Sequence, residues 1–178
     1  MSRYAACRAL PKDGPFVICS NHTSWWDPVL LAALCPREIH FIAKKELFRF
    51  PVCGLLLRRV HAFPVDRKKA DVRAVREALS RLGAGKVLGI FPEGTRNKGE
   101  AGTLGTMHGG AALFAVKSKA PVLPVAIRGE YRFRQPLLVS VGNPMDLTPN
   151  TGRLSTDIDE GSKQIARAIS GLYHDPWS

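Results

Sequence analysis

The sequence predicts an α/β fold, a single domain in which a central mixed β-sheet is flanked by α-helices. Three observations lead there. Short apolar runs recur at 16–20, 40–43, 87–91 and 122–127, each bounded by turn-forming or polar residues. Longer segments between them carry apolar residues at helical spacing. The 178 residues, 45% of them hydrophobic, suffice for one substantial core and show no repeat, low-complexity tract or linker-like shift in composition. Strands alternating with helices place a sheet between helical layers, and ligand sites in such sheets collect where strands end.

The elements follow in order. Phe16 to Ser20 reads as a buried strand after the turn Asp13-Gly14-Pro15. Asp27 reads as the N-cap of a helix with Pro28 at its first position and apolar residues from Val29 to Leu34 behind it. A second strand covers His40 to Ala43, and Glu46 to Arg59 reads as helical with interruptions at Pro51 and Gly54. Ala62 to Val65 is a third strand. Lys69 to Leu82 is an amphipathic helix ended by Gly83-Ala84-Gly85. Val87 to Phe91 is the strongest apolar strand, followed by a helix at 110–117, strands at 122–127 and 137–141, and a closing helix at 155–172. The motif-bearing core spans about residues 11–147 of the one domain.

With 26 Lys and Arg against 15 Asp and Glu, the net charge is +11, which suits an anionic partner such as a phosphorylated substrate or an acidic lipid surface. No apolar run approaches the roughly 20 residues of a membrane span, and the first residues lack the apolar core of a signal peptide. The expectation is a cytoplasmic protein, peripheral on the cytoplasmic face of the membrane. Cys7, Cys19, Cys35 and Cys53 form no CxxC pair and read as reduced core residues. No metal-ligand cluster is apparent, and no metal is expected.

Four segments carry chemistry. In Asn21-His22-Thr23-Ser24-Trp25-Trp26-Asp27-Pro28, histidine and carboxylate stand five residues apart. That is a rotation of roughly 140° along a helix, so they meet only if His22 lies in a loop before the helix. A carboxylate on one imidazole nitrogen fixes the tautomer and leaves the other nitrogen as a general base. Taken alone, this spacing more often means a turn histidine beside a helix-capping aspartate. The second segment, Phe91-Pro92-Glu93-Gly94-Thr95-Arg96, follows the strongest strand. Gly94 permits unusual dihedrals, Arg96 offers a planar fork for phosphate, and Glu93 suits orienting that arginine or a substrate hydroxyl; its bland alternative is a surface turn with an ion pair. In the third, Lys44 and Arg67 each follow a strand, where a cation meets a phosphate or simply water. The basic run continues through Lys68, Lys69, Arg73 and Arg76, either a wet helix face or a surface for anionic lipid head groups. The fourth, Leu123-Pro124-Val125-Ala126-Ile127-Arg128-Gly129, is a buried strand whose end adjoins the same cleft. Gly83-Ala84-Gly85-Lys86 lacks the first glycine and the Ser/Thr of a phosphate-binding loop, and no G-x-S-x-G serine is present.

In this order the four segments resemble the blocks of the lysophospholipid and glycerophospholipid acyltransferases. N-H-x-x-x-x-D matches Asn21, His22 and Asp27. A-K-x-E-L-F with a following P-x-x-G matches Ala43, Lys44, Glu46, Leu47, Phe48, Pro51 and Gly54. F-P-E-G-T-R matches 91–96 without change, and V-P-V-A-I-x-G matches Leu123 to Gly129 with one substitution. The resemblance covers about residues 11–147. It implies the family's α/β fold and transfer of a fatty acyl group from a thioester to the free hydroxyl of 1-acyl-glycerol-3-phosphate, giving phosphatidate. It implies His22 as base and Asp27 as its holder, with Lys44, Arg67, Glu93, Gly94, Thr95 and Arg96 around the acceptor. It implies no bound cofactor, with acyl-CoA or acyl-carrier protein as donor.

The chain departs from the pattern in three places. A hydrophobic N-terminal extension is common in the family; only about twenty residues precede His22, which reads as a short form or one lacking that anchor. The family often has glycine where His61 stands, and an F-K-x-G-like segment where Met107-His108-Gly109-Gly110 stands. Other acceptors in reach of the same residues are a different lysophospholipid or glycerol 3-phosphate. From the charge alone, a non-catalytic basic protein binding acidic membranes or nucleic acid is the alternative; under the acyltransferase reading no nucleic-acid partner is expected.

Overall fold

The computed structural model describes residues 11–66, 71–97, 103–149 and 151–174. Six strands form one sheet: β1 (Phe16–Ser20), β2 (Ile39–Lys44), β3 (Phe63–Val65), β4 (Val87–Ile90), β5 (Val122–Arg128) and β6 (Leu138–Val141). Their order is β3-β2-β4-β1-β5-β6. The first five run parallel, and β6 closes the edge antiparallel to β5, with Ala126 opposite Ser140. The sheet is therefore mixed and helix-covered, as the alternation of elements predicts. At its centre β1 places Ile18 between Gly89 of β4 and Leu123 of β5.

Because side chains alternate across a strand, β1 splits the core in two. Val17 and Cys19 face a layer made of α3 (Val72–Gly83), α4 (Gly110–Ser118) and α5 (Leu154–His174). Phe16 and Ile18 face α1 (Asp27–Leu34) and the residues around α2 (Pro51–Arg59). The first layer is built from small residues backed by aliphatics, among them Ala74, Ala78, Ala111, Ala112, Ile165 and Ile169, all buried. Small side chains let α4 come close to both α3 and α5. Asp71 caps α3, its carboxylate accepting from the Ala74 N–H at 3.0 Å; backbone donors, outweighing desolvation, hold the Asp71 carboxyl below its usual range.

Three sequence expectations are adjusted. The segment at 46–59 is two elements, a 3-10 turn over Lys45–Arg49 and then α2 with Pro51 in its first turn. α3 begins at Val72, and Lys69 and Ala70 lie outside the described residues. Asp27 is not an N-cap. Trp26 holds that position in an αR conformation with no side-chain bond, and Asp27 is the first helical residue. Its carboxylate turns backward to the loop rather than forward to the helix.

The parallel strands set the site. β1, β2, β3, β4 and β5 all end on one edge of the sheet, so the segments at 21–26, 44–49, 66, 91–97 and 129–137 meet there.

Candidate active site

His22 leaves β1 in a loop, two residues past the strand end. Its Nδ1 lies 2.8 Å from Asp27 Oδ2. The same oxygen accepts the backbone N–H groups of Thr23 at 2.7 Å and Ser24 at 2.8 Å. Asp27 Oδ1 accepts the hydroxyl of Tyr131 at 2.7 Å. Asp27 is fully buried, and burying a carboxylate is tolerated only when donors surround it. With the carboxylate accepting, Nδ1 carries the proton and Nε2 keeps its lone pair. The two backbone bonds give the five-residue spacing its physical reason: the loop wraps around a carboxylate at the start of α1.

The loop is pinned from four further directions. Asn21 bridges to β5, donating from Nδ2 to the Ile127 carbonyl at 2.8 Å and accepting the Ile127 N–H at 2.7 Å. Glu93 Oε1 accepts the His22 N–H at 3.0 Å, and Oε2 accepts the Gly105 N–H at 2.8 Å. The His22 carbonyl accepts the Asn97 N–H at 2.7 Å. The ring of Phe91 stacks on the imidazole, centroids 4.1 Å apart and planes at 23°. His22 is thus held by its backbone, its Nδ1 and one ring face.

His22 opens onto a groove of about 490 Å³ between α1 and α2. The walls are mainly apolar, from Pro28, Val29, Phe41, Leu47, Leu57 and Val60. Lys44, Gly94, Thr95 and Arg96 also line it. The Arg96 guanidinium lies 4.3 Å from the ring centroid of Trp25, a stacking geometry that orients the fork without consuming its donors. Gly94 takes φ 69° while its N–H bonds the Phe91 carbonyl at 2.9 Å, the tight turn that brings 95 and 96 back to the groove. A base, two cations and an apolar trough converge in one concavity.

The structure brings together His22, Asp27, Lys44, Gly94, Thr95 and Arg96. Glu93 sits apart from the groove, behind the His22 loop, with both oxygens engaged by backbone N–H groups and no ion pair to Arg96 among the described residues. Arg67 lies outside the described residues.

Tyr131 is the functional neighbour that sequence reasoning did not find. It sits 104 residues from Asp27 in the loop between β5 and β6. Gly129 makes that loop possible: it takes φ 109°, and a Cβ there would lie 2.4 Å from the Pro136 carbonyl oxygen. Burial first, and then the bond to Asp27, push the Tyr131 hydroxyl well above its ordinary range, so it stays a donor. The closest signal in the sequence is Gly129 at the end of the fourth block.

Residues 3–128 match the family model described as Acyltransferase. The chain belongs to the Acyltransferase family. It is 38% identical over 121 residues to a 1-acyl-sn-glycerol-3-phosphate acyltransferase of Bacillus subtilis, covering 67% of this chain and 59% of that protein. It is 31% identical over 165 residues to the enzyme of the same name from Streptococcus pneumoniae, covering 89% of this chain and 59% of the relative. A lyso-ornithine lipid O-acyltransferase of Pseudomonas aeruginosa is 37% identical over 131 residues, 68% of this chain and 49% of that one. The crystal structure of the 1-acyl-sn-glycerophosphate (LPA) acyltransferase PlsC from Thermotoga maritima superposes with a TM-score of 0.69 at 28% identity, covering 96% of this chain and 71% of that one. The chain thus spans less than two thirds of the length of the first two curated relatives. Among the described residues, no helix is long and apolar enough to cross a membrane.

Proposed function

We propose that this chain is an O-acyltransferase that moves a fatty acyl group from an acyl thioester to the free hydroxyl of 1-acyl-glycerol-3-phosphate, giving phosphatidate. The observation that carries the reading is the His22–Asp27 pair at the head of an apolar groove whose other polar lining includes Lys44 and Arg96. A hydroxyl-deprotonating base, cations for a phosphate and a trough for an acyl chain describe a lysophosphatidate-like acceptor. The names of the relatives support it.

In this mechanism Nε2 of His22 takes the acceptor hydroxyl proton, and Asp27 stabilises the imidazolium that forms. The acceptor oxygen attacks the thioester carbonyl directly. The C–S bond then breaks, the acyl ester remains, and the proton on Nε2 passes to the departing thiolate. Lys44 and Arg96 bind the phosphate, joined by Arg67, and Thr95 and Gly94 border it. Glu93 acts from behind, through the His22 N–H. Acyl-CoA or acyl-carrier protein supplies the thioester, and the reaction needs no cofactor. The protein works at the cytoplasmic face of an anionic membrane.

His22→Ala tests the chemistry. Transfer to lysophosphatidate, measured with both thioester donors and product lipid analysis, should fall about 10²–10⁴-fold, the range for a general base, with the melting temperature retained. Full activity in that variant overturns the mechanism. A panel that includes lyso-ornithine lipid and glycerol 3-phosphate identifies the acceptor, and preferred acylation of a phosphate-free lipid would remove Lys44 and Arg96 from the proposed role.

A further inference from the structure

Helix α2 is amphipathic in a way its packing does not explain. Cys53, Leu57 and Val60, spaced along one face, turn into the groove. On an adjoining face Val52, Leu55 and Leu56 follow helical spacing, and all three are exposed: Val52 is 80% exposed and Leu55 57%. Phe50, just before the helix, is 60% exposed and extends the stripe. A short helix that presents aliphatic side chains to solvent at three consecutive positions of one stripe has no partner on that side among the described residues.

The surrounding charge states what the partner is. Arg49, Arg58 and Arg59 are exposed at the two ends of the stripe, and among the described residues none of them is held in an ion pair. The sequence of α2, PVCGLLLRR, contains no acidic residue. Aliphatic chains in the middle with long cationic chains at the edges is the pattern of a helix lying in a bilayer interface, its apolar face below the head groups and its arginines among anionic phosphates. Two copies meeting through this face would bring the arginines against one another. An acidic protein would be met by the arginines but gives the stripe no apolar medium.

The stripe is continuous with the groove. Leu56 belongs to both, and Trp25, half exposed beside Trp26, lines the same groove. Tryptophans with one end apolar and the other wet favour this depth. We infer that α2 docks on an anionic lipid surface through Val52, Leu55, Leu56 and Phe50, and that the groove between α1 and α2 takes a lipid acceptor directly from that surface. The entry route rests on the acyltransferase reading; the docking does not. The geometry also separates this surface from the basic run at 67–76. Its described members Arg73 and Arg76 are exposed on α3, in the layer on the other side of the sheet from α1 and α2.

The test uses sedimentation with vesicles of phosphatidylglycerol and phosphatidylcholine, the full chain, and the double variant Val52→Glu/Leu55→Glu, whose side chains line neither groove nor core. The wild type should partition onto the anionic vesicles and less onto pure phosphatidylcholine. The variant should lose about tenfold or more in partitioning, because each aliphatic chain kept out of the bilayer forfeits on that order. Its melting temperature should be unchanged, and so should its turnover of a short-chain acceptor below its micelle concentration, while turnover of vesicle-borne acceptor falls with binding. Arg73→Glu/Arg76→Glu should bind nearly as wild type. Equal vesicle binding by the stripe variant overturns the inference, as does loss of binding only in the α3 variant. It is also overturned if the stripe variant instead abolishes a dimer seen in solution, or weakens only carrier-protein binding. If vesicle binding depends on the stripe but no lysolipid is acylated, the docking surface stands and the acyltransferase reading falls.

Discussion

The two faces of the sheet are finished differently. One is sealed by three helices whose contact residues are alanines and aliphatics, with Ile165 and Ile169 of α5 wholly buried. Among the described residues the other has only α1 and α2, and they leave grooves of about 490 Å³ between them and about 710 Å³ between α1 and the β5–β6 edge. The same strands serve both faces, since alternate residues of β1 point each way. The closed face supplies stability through dense packing. The open face gives up that packing, and the space it leaves is where His22, Lys44 and Arg96 converge. On α2 of the open face Val52, Leu55 and Leu56 are exposed for the same reason: a helix that lines a groove on one side has, among the described residues, no second layer on the other.

Substitutions that act on one face only sharpen this contrast. The largest stability effect is expected on the closed side. Ile165→Ala should remove about 2–5 kcal/mol in a denaturant titration, the range for deleting a buried aliphatic chain in a packed core, with the KM for acceptor unchanged. A loss below about 1 kcal/mol would mean that the closed face is not the stabilising one. On the open face, Arg96→Ala should leave the unfolding midpoint in place and raise the KM for the phosphorylated acceptor by about 10–100-fold, from the roughly 1.5–3 kcal/mol of a hydrogen bond to a charged group. The KM for the thioester should move little; an effect confined to the donor would put the phosphate elsewhere. Tyr131→Phe is the smallest and bridges the two categories, because it strips one donor from a buried carboxylate. A fall in kcat of about fivefold to tenfold, with both KM values kept, is expected from about 1 kcal/mol of lost positioning. An unchanged kcat would show that Thr23 and Ser24 hold Asp27 unaided.

Much of the molecule was legible in the linear chain. The strands at 16–20, 87–91 and 122–127 were recognisable because a strand buried on both faces is a continuous apolar run, and each is a strand within a residue. Element ends were less legible. Asp27 looks like an N-cap because capping aspartates are common, but its carboxylate is drawn back by His22, Thr23 and Ser24 instead. The resemblance marked position 61 as one where relatives have glycine. The structure supplies the cause, since His61 takes φ 51°, in the left-handed region that glycine enters freely. Glu93 was legible as important and not as to its role: local sequence cannot say that a carboxylate will face two backbone N–H groups rather than a cation.

By itself the sequence determined the alternation of strands and helices and the excess of positive charge, which depend on local periodicity and composition, and the order of its four blocks singled out His22, Asp27 and Arg96. Only the tertiary structure decided what surrounds them. Tyr131 reaches Asp27 across 104 residues and Asn21 reaches Ile127 across 106. Lys44 and Arg96 share a groove because β2 and β4 are neighbouring parallel strands ending on one edge. Contacts at such separations are set by strand order and direction, which follow from how all the apolar faces are buried at once rather than from any one segment.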